Sequence, residues 1–173
     1  YYQAHVGSVG WLDWTTNNEI AGTLNLGYPI EAIRIRIVKK NDEGPVVSSN
    51  SKIEPIILKC EAHVQNVGWM NSKMNNQLCG TVGFGYRGEA FKISIDNSEV
   101  AGNIEYRSHI ENFGWEKNWI NDNSMTGTSG KLLRLEAIQI RISGEIANSY
   151  DIYYRAHIQD YGWLDWAKNG ESS

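Results

Sequence analysis

The sequence predicts an all-β chain built from a repeat, with about twelve strands arranged around a pseudo-threefold axis. Three observations predict it: a motif that recurs at fixed internal spacing, alternating apolar residues inside each recurrence, and Asn/Asp/Gly pairs that fit tight turns. The recurrence is read first. Ala4-His5-Val6 is followed by Gly10-Trp11, Ala62-His63-Val64 by Gly68-Trp69, Ser108-His109-Ile110 by Gly114-Trp115, and Ala156-His157-Ile158 by Gly162-Trp163. In the first three recurrences a Gly-Thr block follows (Ala21-Gly22-Thr23, Cys79-Gly80-Thr81, Thr126-Gly127-Thr128), and nine residues after its Gly comes Glu-Ala. The repeats therefore span approximately 1–58, 59–104 and 105–152, with 153–173 a partial fourth, all within one domain.

Alternation assigns the strands. Ile33, Ile35 and Ile37 share one face with Arg34 and Arg36 on the other, and Phe91/Ile93/Ile95 and Ile138/Ile140/Ile142 repeat the pattern. Each such strand is expected to turn, as at Ser143-Gly144-Glu145, and pair with a return strand such as 151–158, leaving one buried and one wet face. A second hairpin is expected at Asn17-Asn18, Asn75-Asn76, Asp122-Asn123 and Asn169-Gly170, since these residues accept positive φ. By this reading 11–16 pairs back on 19–24. The stretch 39–52 reads as a polar surface loop. Two hairpins per repeat suit a β-prism, with a β-trefoil as the alternative and an open stack of β repeats third.

Composition restricts the function. The net charge is −4 with no basic run, which argues against nucleic acid as a partner, and no apolar stretch is long enough for membrane insertion. The chain opens on Tyr1 rather than Met, so a missing signal peptide is no argument against export. Seven Trp beside three Phe ask for a place in a core or on a binding surface.

The first Trp of each repeat (Trp11, Trp69, Trp115, Trp163) is expected to pack in the core. The second (Trp14, Trp119, Trp166) is the candidate ligand residue, because repeat two carries Ser72 there. An indole flanked by Asp13, Asn118 or Asp165 and by the turn residues Asn17, Asn18, Asp122, Asn123 and Asn169 can stack on a sugar and bond its hydroxyls, or anchor a protein. Otherwise it is a plug between repeats, the place expected for Trp14, with Trp119 expected to be exposed.

His5, His63, His109 and His157 lie opposite the apolar set, with a structural hydrogen bond as their expected role. No His-x-x-x-His or paired-Cys spacing implies a metal, and no cofactor is implied. Glu31, Glu89 and Glu136 fall in phase with the buried residues, so each carboxylate needs a partner. Backbone N–H groups of the Gly-rich stretch are the expected partners, and Glu89→Ala should cost more stability than Glu99→Ala. One Glu per repeat without a second recurring acid argues against a glycosidase or any enzyme. Cys60 and Cys79 could form a bridge or stay two small thiols.

Tyr-Arg-Ala-His-Ile and Tyr-Gly-Trp-Leu-Asp-Trp within 154–166, and Gly-Thr-Ser-Gly-Lys-Leu-Leu-Arg-Leu-Glu-Ala-Ile-Gln-Ile at 127–140, resemble the ChW repeat, the clostridial hydrophobic repeat named for its Trp. The resemblance covers almost the whole chain. It implies tandem modules of secreted or cell-surface proteins of Gram-positive bacteria, sitting beside other modules of the same parent chain. The implied role is non-catalytic binding of a cell-wall or host polysaccharide, with a surface protein in adhesion, or service as a structural spacer, as alternatives. Two departures stand out: Ser72 replaces the second Trp, and an inserted residue places Trp119 four residues after Trp115 instead of three.

Overall fold

The computed structural model describes residues 1–96 and 100–173, which form two compact units, Tyr1–Pro55 and Ile56–Ser173. Among the described residues the structure is nearly all β, in several small sheets, with two short 3₁₀ turns at Ser49–Ser51 and Glu145–Asn148. Among the described residues the strands form no closed barrel.

In Tyr1–Pro55 the strands are β1 (Tyr2–Val6), β2 (Gly10–Trp11), β3 (Gly22–Thr23), β4 (Ile30–Ile35) and β5 (Lys52–Ile53). The His-bearing β1 is the middle strand of a β2-β1-β4 sheet, antiparallel to both neighbours. Its turn into β2 closes with Val9 N–H on the Val6 carbonyl and places Ser8 and Gly10 at positive φ. Ala4 and Val6 point into a small core with Leu12, packed by Ala21 and Ile53, while His5 lies on the other face.

In Ile56–Ser173 the plan is repeated. Repeat two contributes β6 (Ile57–Val64), β7 (Gly68–Trp69), β8 (Lys73–Met74) and β9 (Gly88–Asp96). Repeat three contributes β10 (Asn103–Ile110), β11 (Gly114–Trp115), β12 (Ile120–Asn121), β13 (Thr126–Gly127) and β14 (Leu135–Ser143). The partial repeat contributes β15 (Tyr153–Tyr154), β16 (His157–Ile158), β17 (Gly162–Trp163) and β18 (Ala167–Lys168). Again the His strand is central: β6 pairs with β7, β8 and β9, and β10 with β11, β12 and β14.

This pairing corrects both expected hairpins. The Glu-Ala strand returns to the His strand of its own repeat, with His5 opposite Ala32, His63 opposite Ala90 and His109 opposite Ala137. It does not fold onto the strand that follows it. The Asn/Asp turns do take positive φ at Asn17, Asn18, Asn76, Asp122, Asn123 and Asn169. However, the segment before each turn also returns to the His strand, as in Tyr2 with Thr15, Cys60 with Lys73 and Tyr154 with Ala167. One strand thus supplies both edges for its repeat, which a sequence read as consecutive hairpins does not reveal.

Successive repeats within Ile56–Ser173 join through two devices. The edge residue of one repeat pairs with the Glu-Ala strand of the repeat before it: Thr126 with Phe91, and Ser173 with Ile138 through both backbone bonds. Gly127 lies so close to that strand that an added Cβ would be 2.4 Å from the Glu89 carbonyl, which explains a glycine there. The second device is a tyrosine. Tyr106 hydroxyl accepts the Ile93 N–H at 3.0 Å and donates to the Ser124 carbonyl. Tyr154 hydroxyl accepts the Ile140 N–H at 2.9 Å and donates to the Glu171 carbonyl. Around these hydroxyls lies the main core of Ile93, Ile104, Tyr106, Ile140, Ile152, Tyr154 and Ala167.

The apolar faces are not equally buried. Ile93 and Ile140 are buried as expected, but Ile33, Ile35 and Ile37 are 62%, 70% and 96% exposed, because the core of Tyr1–Pro55 forms on β1 and excludes the β4 isoleucines. The stretch 39–52 is also more than a surface loop. Its end supplies Ser51, which is buried and donates to the Ile20 carbonyl, and leads into β5, which runs parallel to β3. Cys60 and Cys79 form a disulfide.

Candidate functional site

The wet face of each His strand carries a recurring cluster. In the three full repeats the antiparallel register slips by one residue, between His5 and Val6, His63 and Val64, and His109 and Ile110. The extra residues are Glu31, Glu89 and Glu136. A bulge re-aims side chains, and each carboxylate turns from the apolar face toward the His. His5, His63 and His109 Nδ1 lie 3.0 Å from Glu31, Glu89 and Glu136 Oε2 respectively. The expected backbone partners of the Glu residues are thereby corrected: plain strand parity fails at a bulge.

The Trp of the same repeat stands edge-on to the His. Ring centroids are 5.1 Å apart for His5–Trp11, 5.4 Å for His63–Trp69, 5.4 Å for His109–Trp115 and 5.3 Å for His157–Trp163. A cation covers each indole: Arg34 at 4.1 Å, Lys92 at 4.5 Å, Arg107 at 5.4 Å and Arg155 at 4.8 Å. These Trp are not core residues, as the sequence had suggested. Trp11, Trp69 and Trp163 are 39%, 38% and 46% exposed, and Trp115 is half-buried. Gly-Trp pairs beside the His on the face that points away from Ala4 and Val6, so the indole cannot reach the core.

The cation comes from either of two strands. Gln3 faces Arg34, Glu61 faces Lys92, and Arg107 faces Gln139 across the ladder. In repeat three the basic residue has moved to the other strand of the same cross-strand pair, and Arg107 Nε bonds Gln139 Oε1 at 2.8 Å. The sequence carried a signal for this cluster. Glu follows His by 26, 26 and 27 residues, and each pair of facing positions holds one base.

Burial separates the three Glu residues. Glu89 is 2% exposed and takes two contacts of 2.9 Å from Arg87, through Nε and Nη2. His63 Nδ1, also buried, lies 3.0 Å from Glu89 Oε2 without an aligned hydrogen bond. Glu136 is held similarly by Arg134 Nη2 at 2.8 Å but is more exposed, and in repeat one Pro29 occupies the place of the arginine. A cavity of about 590 Å³ opens beside Glu89, lined also by His63, Arg87, Gln65 and Leu132. Glu99, the comparison residue for Glu89, lies outside the described residues. Among the described residues no group of His, Cys, Asp and Glu is arranged to hold a metal ion.

The second Trp residues diverge. Trp166 is 57% exposed, with Arg155 4.8 Å from its ring. Trp119, expected to be exposed, is half-buried: Arg107 and Arg141 lie 4.9 Å and 4.1 Å from its ring, and it sits against Gly170 of the next repeat. The inserted residue carries its ring into that joint. Trp14 is half-buried, bridging Val47 through its main chain, and neighbouring Asp13 accepts the Ser48 hydroxyl. Asn17, Asn18, Asn118, Asp122, Asn123 and Asp165 are exposed. Asn169 is already engaged, its Oδ1 accepting Ile152 N–H at 3.0 Å and its Nδ2 donating to Asp151 at 2.6 Å.

A family model described as Clostridial hydrophobic W matches residues 5–39, 63–97, 109–144 and 157–173. No curated protein and no solved structure matches the chain.

Proposed function

The chain belongs to the clostridial hydrophobic W family, and from that premise we propose that it is a non-catalytic binding module displayed outside the cell, recognising a cell-wall or host polysaccharide through its Trp faces. The observation that carries this reading is the exposed indole at one place in repeats one, two and four, framed by His and a cation. An exposed indole offers an apolar plate to the C–H face of a sugar, and the flanking Arg, Lys, His and Glu groups supply donors and acceptors for its hydroxyls. Spacing one such face per repeat suits a polymeric ligand, whose successive contacts add avidity. The Cys60–Cys79 disulfide agrees with an oxidising location. Among the described residues no helix is long and apolar enough to cross a membrane.

The test uses purified cell-wall polysaccharide and a glycan array. Trp166→Ala and Trp69→Ala should each weaken retention by about thirtyfold, the loss of an aromatic anchor worth roughly 2 kcal/mol. Their melting temperatures should stay within about a few degrees of the parent, because partly exposed substitutions cost little. Unchanged retention in both variants would remove the glycan reading.

A further inference from the structure

We infer that the front edge of repeat one is a docking surface for an extended Glu-Ala strand of the kind its neighbours bind. The joint between repeats is seen twice within Ile56–Ser173. In each case one repeat offers a tyrosine hydroxyl and an edge residue, and the repeat before it offers a Glu-Ala strand. Tyr106 takes the Ile93 N–H while Thr126 pairs with Phe91. Tyr154 takes the Ile140 N–H while Ser173 exchanges both backbone bonds with Ile138.

Repeat one carries the same front half. Tyr2 stands where Tyr106 and Tyr154 stand, three residues before the His, and Ala21 stands where Thr126 and Ser173 stand. Tyr2 hydroxyl already donates to the Glu19 carbonyl, the counterpart of the Ser124 and Glu171 carbonyls. The hydroxyl is thus fixed in the orientation that leaves its lone pairs free for a backbone N–H. Among the described residues no donor reaches that oxygen, and the Ala21 N–H has no acceptor. Tyr106 and Tyr154 are 0% and 9% exposed beneath the neighbouring strand, whereas Tyr2 is only partly buried and Ile20, beside Ala21, is 42% exposed. Strand β5 does not fill this edge. It is reached through the Leu24 N–H on the Ile53 carbonyl, and alternation along a strand sends the N–H of Ala21 to the other side.

The partner is defined by the joint it would reproduce: an extended segment with Glu-Ala followed by alternating isoleucines, adding to the edge by backbone hydrogen bonds with its apolar face over Tyr2. The inference stands apart from the glycan reading, since it uses neither the Trp faces nor the His–Glu pairs.

The test is titration of the intact chain with a synthetic peptide of residues 135–143, Leu-Glu-Ala-Ile-Gln-Ile-Arg-Ile-Ser, followed by NMR through the backbone amides of β1 and, in chains that keep it, the Ala21 amide. Saturable binding with slowed exchange of the Ala21 N–H is expected. Tyr2→Phe should weaken it about fivefold, one hydrogen bond's worth, and Ala21→Pro should abolish it, while Tyr154→Phe, whose hydroxyl is already engaged, should not change it. A scrambled peptide that binds equally, a peptide that never saturates, or equal affinity for the parent and both repeat-one variants would each overturn the inference. Retention of the β1 and β4 amide resonances in Ala21→Pro shows that repeat one is still folded and that the loss of binding is local. A globally unfolded Ala21→Pro would show that the edge belongs to the fold and is not a docking surface.

Discussion

Three glutamates occupy one bulge position and meet three environments. Glu31 is 55% exposed and, among the described residues, paired with His5 alone, Glu136 is 33% exposed, and Glu89 is enclosed with Arg87 and His63. Breaking an enclosed ion pair strands the partners, a loss of about 3 kcal/mol, whereas an exposed pair contributes about 0.5 kcal/mol. Glu89→Ala should therefore lower the melting temperature well beyond Glu31→Ala, and equal denaturant midpoints would show that the enclosure has no energetic weight. The tyrosine hydroxyls give a pH dependence. Burial raises the pKa of Tyr106 and Tyr154 above the ordinary phenol value, against the N–H bonds from Ile93 and Ile140, which act the other way. A raised folded-state value means that the stabilisation is fully present below the ordinary value of about 10 and is lost as pH climbs through the folded value. Urea melts should weaken above about pH 10. Tyr154→Phe should be less stable at pH 8 by about 1 kcal/mol and show a shallower alkaline decline. At this scale the sequence placed the His, Glu and Trp side chains in one repeating set. It placed the His face correctly but misread where the Glu points, because a bulge changes the face of a residue without changing its neighbours in the chain.

At the scale of the element, repeat two does by covalent means what its neighbours do by hydrogen bonds. Cys60 stands at the tyrosine position, and its bond to Cys79 ties the His strand to the segment beyond the Asn turn. Tyr106 and Tyr154 hold the corresponding segment through the Ser124 and Glu171 carbonyls. Closing a loop of this length stabilises by about 3 kcal/mol, so reduction or Cys60→Ser should lower stability by that order. Cys60→Tyr combined with Cys79→Ala should recover about 1 kcal/mol of it under reducing conditions. No recovery relative to the Cys60→Ser, Cys79→Ala pair would show that the two devices are not equivalent. The turns were legible in the sequence because Asn, Asp and Gly declare positive φ locally. The strand partners were not, because His5 and Ala32, or His63 and Ala90, meet across a connection whose course depends on what covers it.

Over the whole molecule, the sequence by itself determined the repeat, its all-β character, its family, the tight turns and the apolar set of the His strand. These rest on spacing and on period-two alternation, which are properties of neighbouring residues. Only the tertiary structure decided that the His strand is central, that His and Glu pair, that the first Trp is exposed, and that Trp119 is held at a joint while Trp166 is open. It also decided that Ile93 is buried while its counterpart Ile35 is exposed. Identical patterns reach different ends because burial is set by what packs against a face. Ile93 lies under Tyr106, and the β4 isoleucines lie outside the cluster of Ala4, Val6 and Leu12. A repeat specifies its own strands, but the partner of each surface is a long-range choice, made by which apolar area can be removed from water once the chain is compact.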